Sequence, residues 1–226
     1  MLPLLYFLIT IIAYILATKL YRKTRFLLFS PFLIAPLVLA ILLMALGVKY
    51  ESYNAGASYI TKLLQPATIA LAVPLYRYFG LLRKHIVAVI VGMMSGIILS
   101  FSTTLILAYL AGMDSMATKN LLPHSVTTPF AMLLADAIKG DPQITVLFTI
   151  MTGICGMIIG PVVIRLFRIR HAVSKGVLLG VGAHAAGTAK AFELGEQEGA
   201  VASVVTIITA LIMLVLVPVL LSFFGM

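Results

Sequence analysis

The chain has 226 residues, 62% of them apolar and 10% charged, against roughly 45–50% and about 25% in soluble globular proteins. A soluble domain of this length has too little interior for so many Leu, Ile, Val and Met side chains, so a soluble enzyme is excluded and an all-α, multi-pass membrane protein is expected. Sixteen Lys and Arg against seven Asp and Glu give a net charge of +9; the bases sit in short clusters between apolar runs, which makes them a topology signal and not a nucleic-acid surface.

A spanning helix needs about 20 apolar residues, and the chain offers six such runs. Met1 to Thr18 has neither a preceding basic region nor a small-residue cleavage site, so it reads as a retained helix and not a signal peptide. Residues 3–18 form the first span, ending at Lys19, Arg22, Lys23 and Arg25, and 26–47 form the second, where Pro31 and Pro36 are placed to kink it. Residues 48–64 suit a loop followed by a short interfacial helix, with Tyr50, Tyr53 and Tyr59 as an aromatic belt. Residues 1–65 are therefore read as a scaffold or oligomerisation region and 66–226 as the core. The third span, 66–82, carries Pro74 and closes on Arg77, Arg83, Lys84 and His85; the fourth, 86–111, has no charge. Beyond Asp114 and Lys119 comes a polar-flavoured stretch, 121–138, then a Gly140-Asp141-Pro142 break. The fifth span, 143–164, ends at Arg165, Arg168, Arg170, His171 and Lys175. Residues 176–194 are glycine-rich and hold a His, too polar for an ordinary lipid-facing helix, and 199–224 form the last span.

The basic clusters orient these spans. With Lys19 to Arg25, Arg77 to Lys84 and Arg165 to Lys175 in the cytoplasm, eleven of the sixteen bases lie inside; Lys49, Lys62, Lys119 and Lys139 lie outside, and Lys190 is left in the polar segment. That map requires 121–142 to enter from outside and return, and 176–194 to do the same from the cytoplasm. A sparse internal similarity agrees: His124 and His184 are sixty residues apart, as are Thr128 and Thr188, and Thr68, Gly80 and Gly96 precede Thr128, Gly140 and Gly156 by the same interval. Inverted repeats with discontinuous helices are a common plan of secondary transporters. The expected fold is a helical bundle of about six full spans plus two broken or re-entrant segments, 121–142 and 176–198, arranged as an inverted repeat.

The first broken segment, Leu122-Pro123-His124-Ser125-Val126-Thr127-Thr128-Pro129, packs three hydroxyls and an imidazole between prolines. Pro129 removes a backbone donor and biases Thr128 away from helix. Free backbone groups are tolerated at membrane depth only where protein or water meets them, so the segment is expected to line a cavity; a capped loop lying flat on the outer surface is the other reading. Ser125 or Thr127 is placed to cap a half-helix over 129–138, whose N-terminal end favours a carboxylate. In Gly182-Ala183-His184-Ala185-Ala186-Gly187-Thr188-Ala189-Lys190, small residues allow close approach of backbone or substrate, and His184 with Lys190 offers a proton-linked and an anion contact. Glu193, Glu196 and Glu198 suit the start of the last helix, and Lys190 with Glu193 suits a helical salt bridge. Asp136 is read either as a cation or proton site or as an interfacial carboxylate. Gly92-x-x-x-Gly96, Gly156-x-x-x-Gly160 and Gly176-x-x-x-Gly180 suit close helix packing. The lone Cys155 permits no intrachain disulfide, no metal-ligand spacing is present, and no cofactor or enzyme motif is found.

At the same two segments the chain resembles the LrgB family of bacterial membrane proteins, the larger partner of the LrgA/LrgB and CidA/CidB pairs. The resemblance covers residues 121–222 closely, on Leu122 to Pro129, Gly153 to Pro161, His184 with Gly187-Thr188-Ala189, and Glu193 to Gly199. The family pattern usually has Lys where this chain has His124, and Ser-His-Gly where it has Ala183-His184-Ala185. The resemblance implies a bacterial inner-membrane location and two functions. One is a holin- or antiholin-like regulator of murein hydrolase export and autolysis, acting with a small LrgA/CidA-type membrane partner. The other is transport of small carboxylates of the pyruvate or glycolate type.

The residues favour the second reading, since paired broken segments suit a saturable anion site better than a lesion. The expected protein is a carrier of a small organic anion by alternating access, embedded in lipid and working as a homodimer. Its substrate site is read as His124, Ser125, Thr127, Thr128 and Pro129 opposed by His184, Gly187, Thr188 and Lys190, with Asp136, His184 and Glu193 as coupling candidates.

Overall fold

The computed structural model describes residues 2–24, 29–70 and 72–223, with main chain alone at 64, 65, 68, 72, 74 and 75. The elements are α1 (Leu2–Thr24), α2 (Pro31–Ala45), α3 (Tyr50–Lys62), α4 (Leu64–Ala70), α5 (Ala72–Arg77), α6 (Phe79–Lys84), α7 (Ile86–Leu110) and α8 (Ser115–Leu121). A 3-10 turn follows over Leu122–Ser125, then α9 (Thr128–Ala137), α10 (Pro142–Leu166), α11 (Ala172–Leu194) and α12 (Glu196–Phe223). No strand occurs among the described residues. By length and composition α1, α7, α10 and α12 can cross a membrane, and with their exposed Leu, Ile and Val faces they make this a helical membrane protein.

Of the six expected spans, four are therefore present as long apolar helices. The second is shortened to the 15 residues of α2, about 22 Å of helix; Pro31 begins it, and Pro36 lies inside. Arg25 and residues 26–28 of that expectation, and residue 224 of the last span, lie outside the described residues. The third, 66–82, is corrected: its described residues do not make one continuous helix, because the backbone leaves it at Tyr78. Pro66 falls in the first turn of α4, where a missing N–H costs least.

The chain divides into two compact units, residues 1–69 and 70–226. In the first, α3 packs on α1: Gly56 lies directly on the Pro3 carbonyl and Tyr6, and the Tyr6 and Tyr53 rings meet edge to face at 6.1 Å. Thr10 donates to Tyr6 O at 2.8 Å, so the 3.0 Å contact with Tyr53 is donated by the Tyr53 hydroxyl. Tyr53 is thus a packing residue, while Tyr50 and Tyr59 are exposed.

In the second unit α12 is central, buried without a break from Gly199 to Thr206, as a helix surrounded on all faces must be. Its neighbour α11 is not one rod. At His184 the backbone leaves the helical region (φ 37°, ψ −118°), and the chain doubles back. Lys175 reaches Glu198, and Phe192 covers Gly199; along an unbroken helix these two residues would stand about 25 Å apart. Before the break the chain runs parallel to α12, with Gly176 against Val201 and Gly180 against Ala202. After it the chain returns, with Gly187 on the Leu179 carbonyl and Thr188 3.1 Å from Thr206.

The stretch from α8 to α9 turns back in the same manner. Asp141 N donates to Asn120 Oδ1 at 2.6 Å and His124 meets Thr152 at 3.0 Å, so this limb runs parallel to α10; Gly140 then brings the chain back to Asn120. Asp141 starts α10 by accepting from Gln143 N and Ile144 N, which ends the first segment at the expected break. Against α11, α10 runs antiparallel: Gly153 faces His184, Gly156 faces Ala183 and Gly160 faces Leu179. The two limbs therefore approach each other head to head, and both end at the middle turn of α10. The three glycine pairs singled out in the sequence are all packing surfaces; Gly92 and Gly96 receive Val177 and Val181.

Candidate functional site

Where the limbs end, α7, the 3-10 turn, Thr152 of α10 and the first limb of α11 enclose an open groove of about 610 Å³. Its walls carry Ser95, Ser100, Thr103, His124, Ser125, Thr152 and Ser174 among apolar side chains, and among the described residues no charged one lines it. The size falls in the range of small-molecule sites, roughly 300–1,000 Å³.

His124 is held at both ring nitrogens. Nε2 lies 2.9 Å from Thr104 Oγ1, and Nδ1 lies 3.0 Å from Thr152 Oγ1. Thr104 spends its single hydroxyl hydrogen on Ser100 O at 2.7 Å, so it accepts from His124. The neutral ring consequently carries its hydrogen on Nε2, and Nδ1 accepts from Thr152. Ser95 and Thr103 also donate to their own helix, to Gly92 O and Leu99 O, leaving lone pairs toward the groove.

His184 stands one position along α10 from Thr152. Gly153 leaves the space its ring fills: a Cβ there would lie 3.0 Å from His184 Cε1. The ring is buried, and Nε2 has no partner in the protein. Two further buried hydroxyls, Thr127 Oγ1 and Thr209 Oγ1, are likewise unpartnered. Thr209 follows within one turn of Thr206, whose hydroxyl reaches Gly180 O.

The remaining predicted residues fall into three places. Ser125 is buried in the groove wall. Thr127 occupies the N-cap position of α9, with Thr128 and Pro129 in its first turn, yet neither it nor Ser125 caps the helix by side chain; that expectation is corrected, because Thr127 Oγ1 points into buried space. Gly187 and Thr188 belong to the returning limb of α11, where Thr188 donates to Thr206, itself a donor to Gly180 O at 3.0 Å. Lys190 pairs with Glu193 at 2.6 Å on that limb, and Asp136 is exposed near the end of α9; of all the predicted site residues, only His124 and Ser125 line the groove. Thr104, Thr152, Ser100 and Thr209 were not anticipated. Their signal was available as hydroxyls inside apolar spans, but a serine or threonine that bonds its own helix gives the same pattern.

The chain was compared with known proteins. The model of the LrgB-like family matches residues 10–223. The chain is similar to the uncharacterized protein YwbG of Bacillus subtilis (strain 168), 43% identical over 95% of this chain and 96% of the relative. It is similar to YxaC of the same strain, 36% identical over 87% and 86%. It is also similar to the antiholin-like protein LrgB of Bacillus cereus (strain B4264), 33% identical over 96% and 95%. No solved structure matches.

Proposed function

We propose a function from one premise: the chain belongs to the LrgB-like family. The name of one relative favours an antiholin-like protein; our reading extends this to a protein of the bacterial cell membrane that regulates murein hydrolase export and autolysis with a small LrgA/CidA-type partner. The observation that carries it is the match to an antiholin-like protein over nearly the whole of both chains. In this reading the two doubled-back segments enter from opposite faces as an inverted repeat, the first from outside and the second from the cytoplasm, where Arg165, Arg168, Arg170 and Lys175 cluster.

A second reading, a carrier for a small organic anion by alternating access, draws no support from those names. One observation favours it: two interrupted segments bring His124 and His184 to one turn of α10 beside a solute-sized groove. Irregular backbone at such depth is tolerated only where protein or water meets it, and this is where secondary transporters place their sites.

Protein reconstituted in liposomes separates the two. A lysis regulator alters dye retention, or hydrolase release in cells with its partner, without saturable solute exchange. A carrier gives counterflow of labelled pyruvate with the dye retained.

A further inference from the structure

We propose that His124 is the proton-dependent charge of the groove: a small anion is held there when this imidazole carries hydrogens on both ring nitrogens and is released when it does not. The proposal rests on the small-anion reading above. Among the described residues no charged side chain lines the groove, so selectivity for charge has to come from a group that can acquire one, and His124 is the sole imidazole among them in its wall.

The groups on every element packed against the turn leave His124 in that role. On α7 there is Tyr109, exposed at the far end; on α8, Lys119; on α9, Asp136, exposed. On α10 there are Cys155, exposed on the outer surface, and Arg165 at the last turn. On α11, Lys175 is paired with Glu198 and Lys190 with Glu193, and His184 is buried behind Gly153. None of these lines the groove.

The hydrogen bonds fix what a proton does. With the neutral ring, Ser95 and Thr103 turn lone pairs to the groove and Thr152 spends its hydrogen on Nδ1, so none of these three donates to a carboxylate. When Nδ1 takes up a proton it becomes the donor to Thr152 Oγ1, and the Thr152 hydrogen must leave that bond. Thr152 itself lines the groove. One proton taken up therefore yields a cationic ring and a freed hydroxyl donor at the same wall.

Nitrogen-15 NMR of histidine-labelled protein in nanodiscs tests this on the unaltered chain, His124 being assigned by loss of its signals in His124→Gln. The expected result is a ring with hydrogen on Nε2 at high pH that becomes doubly protonated as the pH falls from about 8 to about 4, with a midpoint that added pyruvate moves upward. A ring that stays neutral across that range, or a midpoint that pyruvate leaves unmoved, overturns the proposal. In proteoliposomes, pyruvate counterflow rises at least tenfold from about pH 7.5 to about pH 5.5, following the protonated fraction of a partly buried imidazole, and His124→Lys, with its fixed charge, removes that dependence. A His124→Lys protein that keeps the wild-type pH profile also overturns it. Absence of wild-type counterflow at every pH, with the midpoint still moved by pyruvate, overturns the carrier reading alone.

Discussion

Asn120 and Gly180, sixty residues apart, each give their main-chain carbonyl to a threonine hydroxyl at 3.0 Å, Thr145 on α10 and Thr206 on α12. The two bonds tie the inward limb of each broken segment to the long helix that follows it. Both hydroxyls are buried, so Thr145→Val and Thr206→Val keep shape but remove a buried hydrogen bond, and Thr206→Val also takes the acceptor from the Thr188 hydroxyl, a loss of about 1–3 kcal/mol each. The check is the unfolding midpoint of the purified protein in detergent: both variants fall, and Thr103→Val, which loses an exposed bond within its own helix, does not.

The reversal in α11 depends on glycine at one position and not at its neighbour. At Gly187 a side chain would collide with the Leu179 carbonyl, which is backbone and has nowhere to go, whereas a Cβ at Gly182 meets nothing within 4 Å. Gly187→Ala is expected to abolish recovery of folded protein. Gly182→Ala should stay within about 0.5 kcal/mol of wild type, read from the same midpoint.

Two ion pairs should differ in weight. Lys175 and Glu198, 3.4 Å apart, are 22% and 12% exposed, while Arg77 and Glu196, 3.2 Å apart, are 71% and 61% exposed. Lys175→Met leaves a mostly buried carboxylate alone at the base of the α11 reversal, a loss of about 1–3 kcal/mol, below the range for a fully buried pair. Adding Glu198→Gln restores most of it. Arg77→Ala changes nothing measurable, because exposed pairs are solvated and screened. Thermal unfolding of the four proteins decides.

Groove residues should be distinguishable from those outside it by reaction with a soluble thiol reagent. In a Cys155→Ser background, cysteines at Ser95 and Gly182 line the groove, and one at Asp136 lies on the outer face of α9. Pyruvate is expected to slow modification at the first two at least threefold, a margin on the order of 0.6 kcal/mol of occupancy, and to leave the third unchanged. Equal protection at all three would make the effect nonspecific.

Much of this arrangement is legible in the sequence, for physical reasons. His124 and His184 stood out because an imidazole at membrane depth needs an interior or water, and the charge clusters demanded that both segments turn back. The break before α10 was readable from Gly140-Asp141-Pro142, since Asp caps and Pro starts a helix. The third span misled because hydropathy weighs Pro74 and Arg77 lightly, while the backbone around Tyr78 does not continue as helix. Lys190, Glu193 and Asp136 were read as site residues from proximity in sequence, but the rotation of α9 and of the returning limb turns them away from the groove, and one-dimensional spacing does not report rotation about a helix axis that packing sets. Thr104 and Thr152 were missed because partners twenty and twenty-eight residues from His124 leave no local pattern.

The account stands on α11 folding back at His184 so that both its ends lie on one side of the bilayer. Single cysteines at Arg168 and Gly195, in the Cys155→Ser background, bracket α11 and can be labelled with an impermeant maleimide on intact cells and on inverted vesicles. Both are predicted to react from the cytoplasmic face alone, with cysteines at Met113 and Lys139 reacting from the outside alone. A cysteine at Gly195 that reacts from the outside while Arg168 reacts from the inside would make α11 a full crossing and contradict the account.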